Sequence, residues 1–227
     1  MTLTRYAIYY APPADADWSR FAASWLGWDM ETGTRLPHPD IAGLDIGAIT
    51  EVPRKYGLHA TMKPPMRLAE GRTQAALEAA CKTFASSHKP VRFEGLHLAR
   101  LGRFLALRPT GDQSALNRLA ANCVTELDMF RAPLSSEDLD RRRAAGLSPK
   151  QDENLTRWGY PYVLSQFRFH ITLTGKLPKP DLPAVEAALN ERLVPLLPAP
   201  LLIRDLALVG EAPDGSFHLI QRYALSG

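Results

Sequence analysis

A chain of 227 residues, 45% hydrophobic and 22% charged, is long enough to bury a sizeable core and has the balance of an ordinary globular protein. A formal net charge of +3 suits a small anionic ligand and is too weak to argue for extended nucleic-acid binding. No apolar run approaches membrane-spanning length, and the first ten residues, with Arg5 among aromatics, read as neither signal peptide nor anchor; the expected compartment is the cytoplasm, with no membrane partner.

In chain order, residues 4–10 are aromatic and β-branched, stop at Pro12-Pro13, and read as a strand. Asp17 caps a short helix with Trp18, Phe21, Ala22, Trp25 and Leu26 on its apolar face. Residues 29–55, rich in Gly, Pro and Asp, read as an irregular loop too long for a mere connection. A strand follows, ended by Pro64-Pro65, and then a helix over about 73–87. Strands at 91–100 and 103–108 turn at Gly102, and Asp112 caps a longer helix. Cys81 and Cys123 fall on apolar helix stripes and read as buried, reduced thiols. Residues 135–159 form a two-helix insert, the second helix opened by Ser148-Pro149-Lys150-Gln151 and closed by Gly159. Another strand, a helix capped by Asp181, and strands at 201–209 and 216–224 complete the chain.

The order strand, helix, His-x-Thr strand, helix, strand occurs twice, over 4–100 and 103–209, with a closing strand at 216–224. His59 and His170 are 111 residues apart, and Phe93-Glu94-Gly95-Leu96 lies 110 before Ile203-Arg204-Asp205-Leu206. Identity between the halves is low, so the repeat is structural. The expectation is one bilobal α+β domain over 1–227, its lobes related by a pseudo-two-fold axis.

Each repeat carries one phrase: Gly57-Leu58-His59-Ala60-Thr61-Met62-Lys63 and Phe169-His170-Ile171-Thr172-Leu173-Thr174. Strand alternation sends residues i and i+2 to one face. His59 and Thr61 then point one way, as do Arg168, His170, Thr172 and Thr174 in the second copy. Ser and Thr make up 24 of 227 residues, so a hydroxyl two places after a given histidine is expected about one time in ten. Two of the six histidines have it, both on strands at matching repeat positions, which sets them apart from His38, His88, His97 and His218.

Two histidines and two hydroxyls suit phosphodiester cleavage. One imidazole takes a proton from the nucleophile and the other gives one to the leaving oxygen, with pKa values in the working range. The hydroxyls can donate to the non-bridging oxygens. On this reading His59 and His170 are catalytic, and Thr61 and Thr172 hold the phosphate. Lys63 and Arg168, on the histidine faces by alternation, and Tyr162, in an aromatic cluster with Tyr160, are further candidate substrate contacts. No cluster has metal-ligand spacing, so neither metal nor cofactor is expected.

The paired motifs in duplicated lobes resemble the 2H phosphoesterase superfamily. The fuller phrases around His59 and His170, with Arg5-Tyr6-Ala7-Ile8-Tyr9-Tyr10 and Trp158-Gly159-Tyr160-Pro161-Tyr162, are similar to the branch associated with bacterial phosphonate-degradation operons. The resemblance spans nearly the whole chain. It implies two lobes of antiparallel sheet with outer helices around a central cleft, and metal-independent hydrolysis of a small cyclic phosphate, a ribose cyclic phosphate by the operon association. RNA ending in a cyclic phosphate is a less favoured substrate, since it calls for a broader basic groove. A non-catalytic phosphate-binding or RNA-binding module has no need of two proton carriers. The sequence carries no feature that fixes an oligomeric state.

Overall fold

The computed structural model describes residues 2–227 and is α+β throughout. Its first half runs β1 (Arg5–Tyr10), α1 (Asp17–Leu26), a small hairpin of β2 (Trp28–Asp29) and β3 (Thr34–Arg35), α2 (Ile46–Arg54), β4 (Ala60–Met66), α3 (Gln74–Ser86), β5 (Val91–Phe93) and β6 (Gly95–Leu101). The second runs β7 (Phe104–Thr110), α4 (Ser114–Glu126), α5 (Ser136–Arg143), α6 (Pro149–Trp158), β8 (Ile171–Thr172), α7 (Leu182–Arg192), β9 (Leu201–Ile203), β10 (Asp205–Glu211) and β11 (Phe217–Ala224).

Most helices start where local side chains can accept the free backbone N–H groups. Thr73 accepts from Ala76, Ser135 accepts from Asp138, and Ser148 and Gln151 form a reciprocal capping box. Asp181 holds the cap position of α7 but makes no side-chain cap bond. Asp112 sits one residue ahead of the cap of α4 and accepts from Ser114. Gly159 ends α6 in the left-handed region, at φ +74°.

Residues 29–55 are irregular only over 36–45; on either side they fold as the β2–β3 hairpin and as α2, whose N-cap Asp45 accepts from Ala48. Pro53 hides this helix from a sequence reading, because a helical proline removes an N–H and leaves the carbonyl four residues back unbonded. Here that carbonyl belongs to Ile49, and it accepts from the N–H of Gly175 at 2.8 Å.

Two antiparallel sheets carry the fold. One has the order β11-β10-β1-β4 and the other β6-β7-β8, so β4 and β8 are both edge strands. Beside them, β5 pairs with β9. The main core takes Ile8 and Tyr10 from one face of β1, with Leu105, Leu107 and Ile171 from the second sheet, Phe169 just ahead of β8, and apolar residues of α1, α3, α4 and α7. The opposite face of β1, with Ala7, Tyr9 and Ala11, packs in a smaller cluster under Trp28, Met30 and Phe217. Cys81 and Cys123 are buried free thiols.

The motif strand β4 is irregular where alternation matters most. Tyr9 faces Thr61 but Ile8 faces Lys63, so one residue too many separates the two pairs. This bulge at Met62 turns Lys63 onto the Ile8 face, away from Thr61. Its ammonium is buried, bonded to the Val124 carbonyl at 2.9 Å and to Asp128 at 3.2 Å. Lys63 is therefore a structural ion-pair member, not a contact in the cleft.

Removing the carboxylate strands the buried ammonium, whereas removing the cation leaves Asp128 still held by Arg131 at 2.7 Å. Asp128→Asn should lower the unfolding free energy by about 3 kcal/mol, and Lys63→Met by clearly less. Urea denaturation of the two variants checks this. Equal losses, or a Lys63→Met protein of native stability that no longer binds substrate, would return Lys63 to the site.

Candidate active site

β4 and β8 bring the two His-x-Thr motifs to one cleft of ≈ 410 Å³. Its lining includes His59, Thr61, His170 and Thr172. The second motif is tied to the first half of the chain at two points. Trp25 of α1 donates its indole N–H to the Leu173 carbonyl at 2.9 Å, and the carbonyl freed by Pro53 holds Gly175. The strand order alone would leave the two edge strands on separate sheets, and these bonds dock one against the other.

The two histidines are held alike. Nδ1 of His59 lies 3.0 Å from the Gly57 carbonyl, and Nδ1 of His170 lies 2.7 Å from the Arg168 carbonyl. In each case the partner is the carbonyl two residues upstream, so Nδ1 carries the proton and Nε2 is left as the reactive nitrogen. Presenting these carbonyls takes unusual backbone. Gly57 has φ +67°, and a Cβ there would meet the Met30 methyl at 2.8 Å. Before His170, Leu164 also has positive φ (53°), and the buried Asn154 amide holds the loop by the carbonyls of Pro161 and Val163. Thr61 and Thr172 are half-buried residues of the cleft lining, and their hydroxyls bond to no other described residue, which leaves them available to a ligand. The Thr174 hydroxyl is engaged, accepting from the Leu105 N–H and donating to the Gly175 carbonyl.

The strand neighbours of the two motifs differ. The residue opposite Thr61 is Tyr9, whose ring stacks on His59 at 3.9 Å between centroids; opposite Thr172 it is Ala106. Tyr56 adds a second ring 5.9 Å from His59. Packed between aromatics, His59 loses hydration, and burial pushes its pKa down to about 4; the Gly57 carbonyl opposes this and the charge of His170 adds to it.

Two further candidates lie elsewhere. Arg168 is exposed and shares the outward face of His170, but it turns its guanidinium back to the Ser165 and Phe167 carbonyls and so is not among the residues lining the cleft. Tyr162 stays on the surface with its ring edge against Tyr160. Tyr160 itself lines the cleft, with Arg142 of α5 lying over its ring at 5.3 Å. Arg5, held by Glu211, and Lys176 also line it. Arg142 had no legible signal, being one arginine among three in a polar helix. The aromatic cluster pointed to Tyr160, though its neighbour Tyr162 was the residue singled out. Among the described residues, no three or more of His, Cys, Asp and Glu cluster as a metal site would require.

The molecule is thus an α+β protein whose two antiparallel sheets present matched histidine–threonine pairs to one basic cleft. The model of a family described as "Protein of unknown function (DUF1045)" matches residues 61–218, and the chain belongs to that family. It is 35% identical over 234 residues to a Janthinobacterium sp. (strain Marseille) protein named ribose 1,5-bisphosphate phosphokinase PhnN, a match over all of this chain and 52% of that one. A protein of the same name from Laribacter hongkongensis (strain HLHK9) is 36% identical over 183 residues, 79% of this chain and 42% of its own. The chain spans about half the length of the curated relatives it matches. Among solved structures, E. coli LigT complexed with 3'-AMP matches over the full length of both chains, with TM-score 0.47 and 14% identity. TT0787 of Thermus thermophilus matches over 98% of both, with TM-score 0.43 and 18% identity. No described helix is long and apolar enough to cross a membrane.

The low His59 pKa has a pH signature. Between about 6.5 and about 4 the unfolded chain binds a proton at this residue and the folded one does not, so stability falls as pH is lowered through that window. Tyr9→Ala removes the stacked ring and should raise the His59 pKa by a unit or so, on the order of the burial effects known for histidine. NMR titration of the histidine ring protons reads this directly. An unchanged value in the variant would rule out Tyr9 as the cause.

Proposed function

We propose that this chain is a metal-independent phosphodiesterase of the 2H type that hydrolyses a small cyclic phosphate. The observation that supports it best is the matched pair of edge strands around one cleft, each with a histidine fixed through Nδ1 and a free threonine hydroxyl. In this reading His59, kept neutral by its aromatic surroundings, is the base that takes a proton from water through Nε2. The hydroxide so formed attacks phosphorus, a new P–O bond forms, and the opposite ester P–O bond breaks. A protonated His170 gives its Nε2 proton to the departing oxygen. Thr61 and Thr172 donate to the non-bridging oxygens, with the cationic lining offsetting their growing charge.

A ribose cyclic phosphate is the substrate class we put first. The motif phrases resemble a branch associated with phosphonate operons, and the relatives are named for a ribose bisphosphate. We also read the chain as one bilobal domain of two repeats. A 110-residue shift carries Arg92 onto Leu202, the residues that face each other where β5 pairs with β9, as a two-fold axis between the repeats requires. Two buried free thiols suit a reducing compartment, and we place the protein in the cytoplasm.

The test is a screen with EDTA present against nucleoside 2′,3′-cyclic phosphates, ribose cyclic phosphates and RNA ending in a cyclic phosphate. His59→Ala and His170→Ala should each cost on the order of a hundredfold or more in turnover. The double variant should cost much less than the product, since the pair acts as a unit. Thr61→Val and Thr172→Val should lose less than either histidine change. The acid limb of kcat/KM against pH should fall near the free-enzyme His59 value of about 4. Both single histidine variants keeping near-native turnover would sink the mechanism, and activity lost in EDTA and restored by a divalent ion would move the chain to the metallohydrolases.

A further inference from the structure

Beside the histidine cleft, between the end of β4 and α5, lies a second cavity of ≈ 290 Å³. Five arginines line it: Arg5, Arg67, Arg131, Arg141 and Arg142. Arg5, Pro65 and Arg142 line both spaces, so the two are contiguous.

The charges here do not cancel. Arg5 is held by Glu211, Arg131 is held by Asp128, and Arg67 and Arg141 share the one carboxylate of Asp138, which also lines the cavity. Three carboxylates, of which only Asp138 lines the cavity and Asp128 is shared with Lys63, thus serve five guanidinium groups. The unmatched one is Arg142. It has no ion pair, its Nε is buried without a hydrogen-bond partner, and its guanidinium lies over the Tyr160 ring at 5.3 Å. A buried N–H donor without a partner is costly. A planar fork of such donors, fixed on an aromatic face at the junction of two cavities, matches the oxygens of a phosphate group. The two-helix insert is what carries this arginine to the site, since α5 supplies Arg142 and Gly159 at the end of α6 leads into Tyr160.

We propose that this arginine-lined cavity is a second anion subsite, and that the substrate is a cyclic phosphodiester bearing an additional phosphate monoester. Arg142 receives the monoester while the cyclic phosphate lies between the two histidines. The substrate half of this rests on the phosphodiesterase reading, and the binding half does not.

The test is calorimetry on the full chain carrying His170→Ala, so that binding is measured without turnover. The probes are adenosine 2′,3′-cyclic phosphate and the same compound with a 5′-phosphate. The 5′-phosphate should tighten binding by about tenfold to a hundredfold, the range of one or two charge-assisted hydrogen bonds. Adding Arg142→Gln should shrink that advantage to about twofold or less, and Arg142→Lys, which keeps the charge but not the fork, should keep part of it. Equal affinities for the two probes, or an advantage that survives Arg142→Gln, would overturn the subsite. Turnover by the wild-type chain then separates the two claims. An Arg142-dependent advantage with neither probe hydrolysed supports the subsite and counts against the phosphodiesterase reading. Hydrolysis of both with no advantage does the reverse.

Discussion

The site depends on one repeated constraint, a histidine ring nitrogen bonded to the carbonyl two residues before it. That bond selects the tautomer and aims Nε2, and each motif spends its unusual backbone on supplying it. On one side Gly57 takes a left-handed turn pressed against Met30; on the other, Asn154 braces the loop that carries Leu164. A loop that could relax would let the imidazole turn and choose the other tautomer. Hence the contacts that brace the two motif strands: the hairpin at Trp28, the freed Ile49 carbonyl, and the indole of Trp25.

Matched geometry does not give matched chemistry. The motifs are near copies, yet a tyrosine stands opposite one threonine and an alanine opposite the other. Tyr9 in the neighbouring strand and Tyr56 crowd His59 with aromatic rings, and this burial lowers its proton affinity while both hydrogen-bonding patterns stay intact. Two equal histidines would compete for the same proton at the same pH. Distinct surroundings are how a symmetric frame can hold one imidazole neutral beside another.

Much of this was legible in the sequence. The helix starts near residue 73, at Ser135 or Ser136 and at Ser148 were readable because capping is local chemistry, although Asp17 lies one residue past the cap of α1, and the α+β class followed from the order of elements. His59, Thr61, His170 and Thr172 were singled out by spacing and repeat position, and they share the cleft. What failed was long-range. Lys63 was placed by counting alternation through a bulge that only the pairing with β1 reveals. The Gly, Pro and Asp content of 29–55 concealed α2, whose Pro53 gives up a helical bond that Gly175, more than a hundred residues away, makes instead with the Ile49 carbonyl. Arg168 satisfies itself on its own turn, and Arg142 reaches the cleft only through the packing of the insert. Pattern reading sees neighbours along the chain, and these residues are placed by neighbours across it.

The position of β1 carries a consequence for how the molecule is made. It is the first strand of the chain, yet one of its two partners is β10, roughly two hundred residues later in synthesis. The second sheet, by contrast, opens with a hairpin between consecutive strands, β6 and β7. On a ribosome, Tyr6, Ile8 and their neighbours would emerge early and wait with one edge unpaired until β10 is released. Order of birth and order of assembly therefore run in opposite directions, and a nascent chain stalled before residue 205 would present an aromatic-rich strand to any chaperone, or any other open edge, in reach.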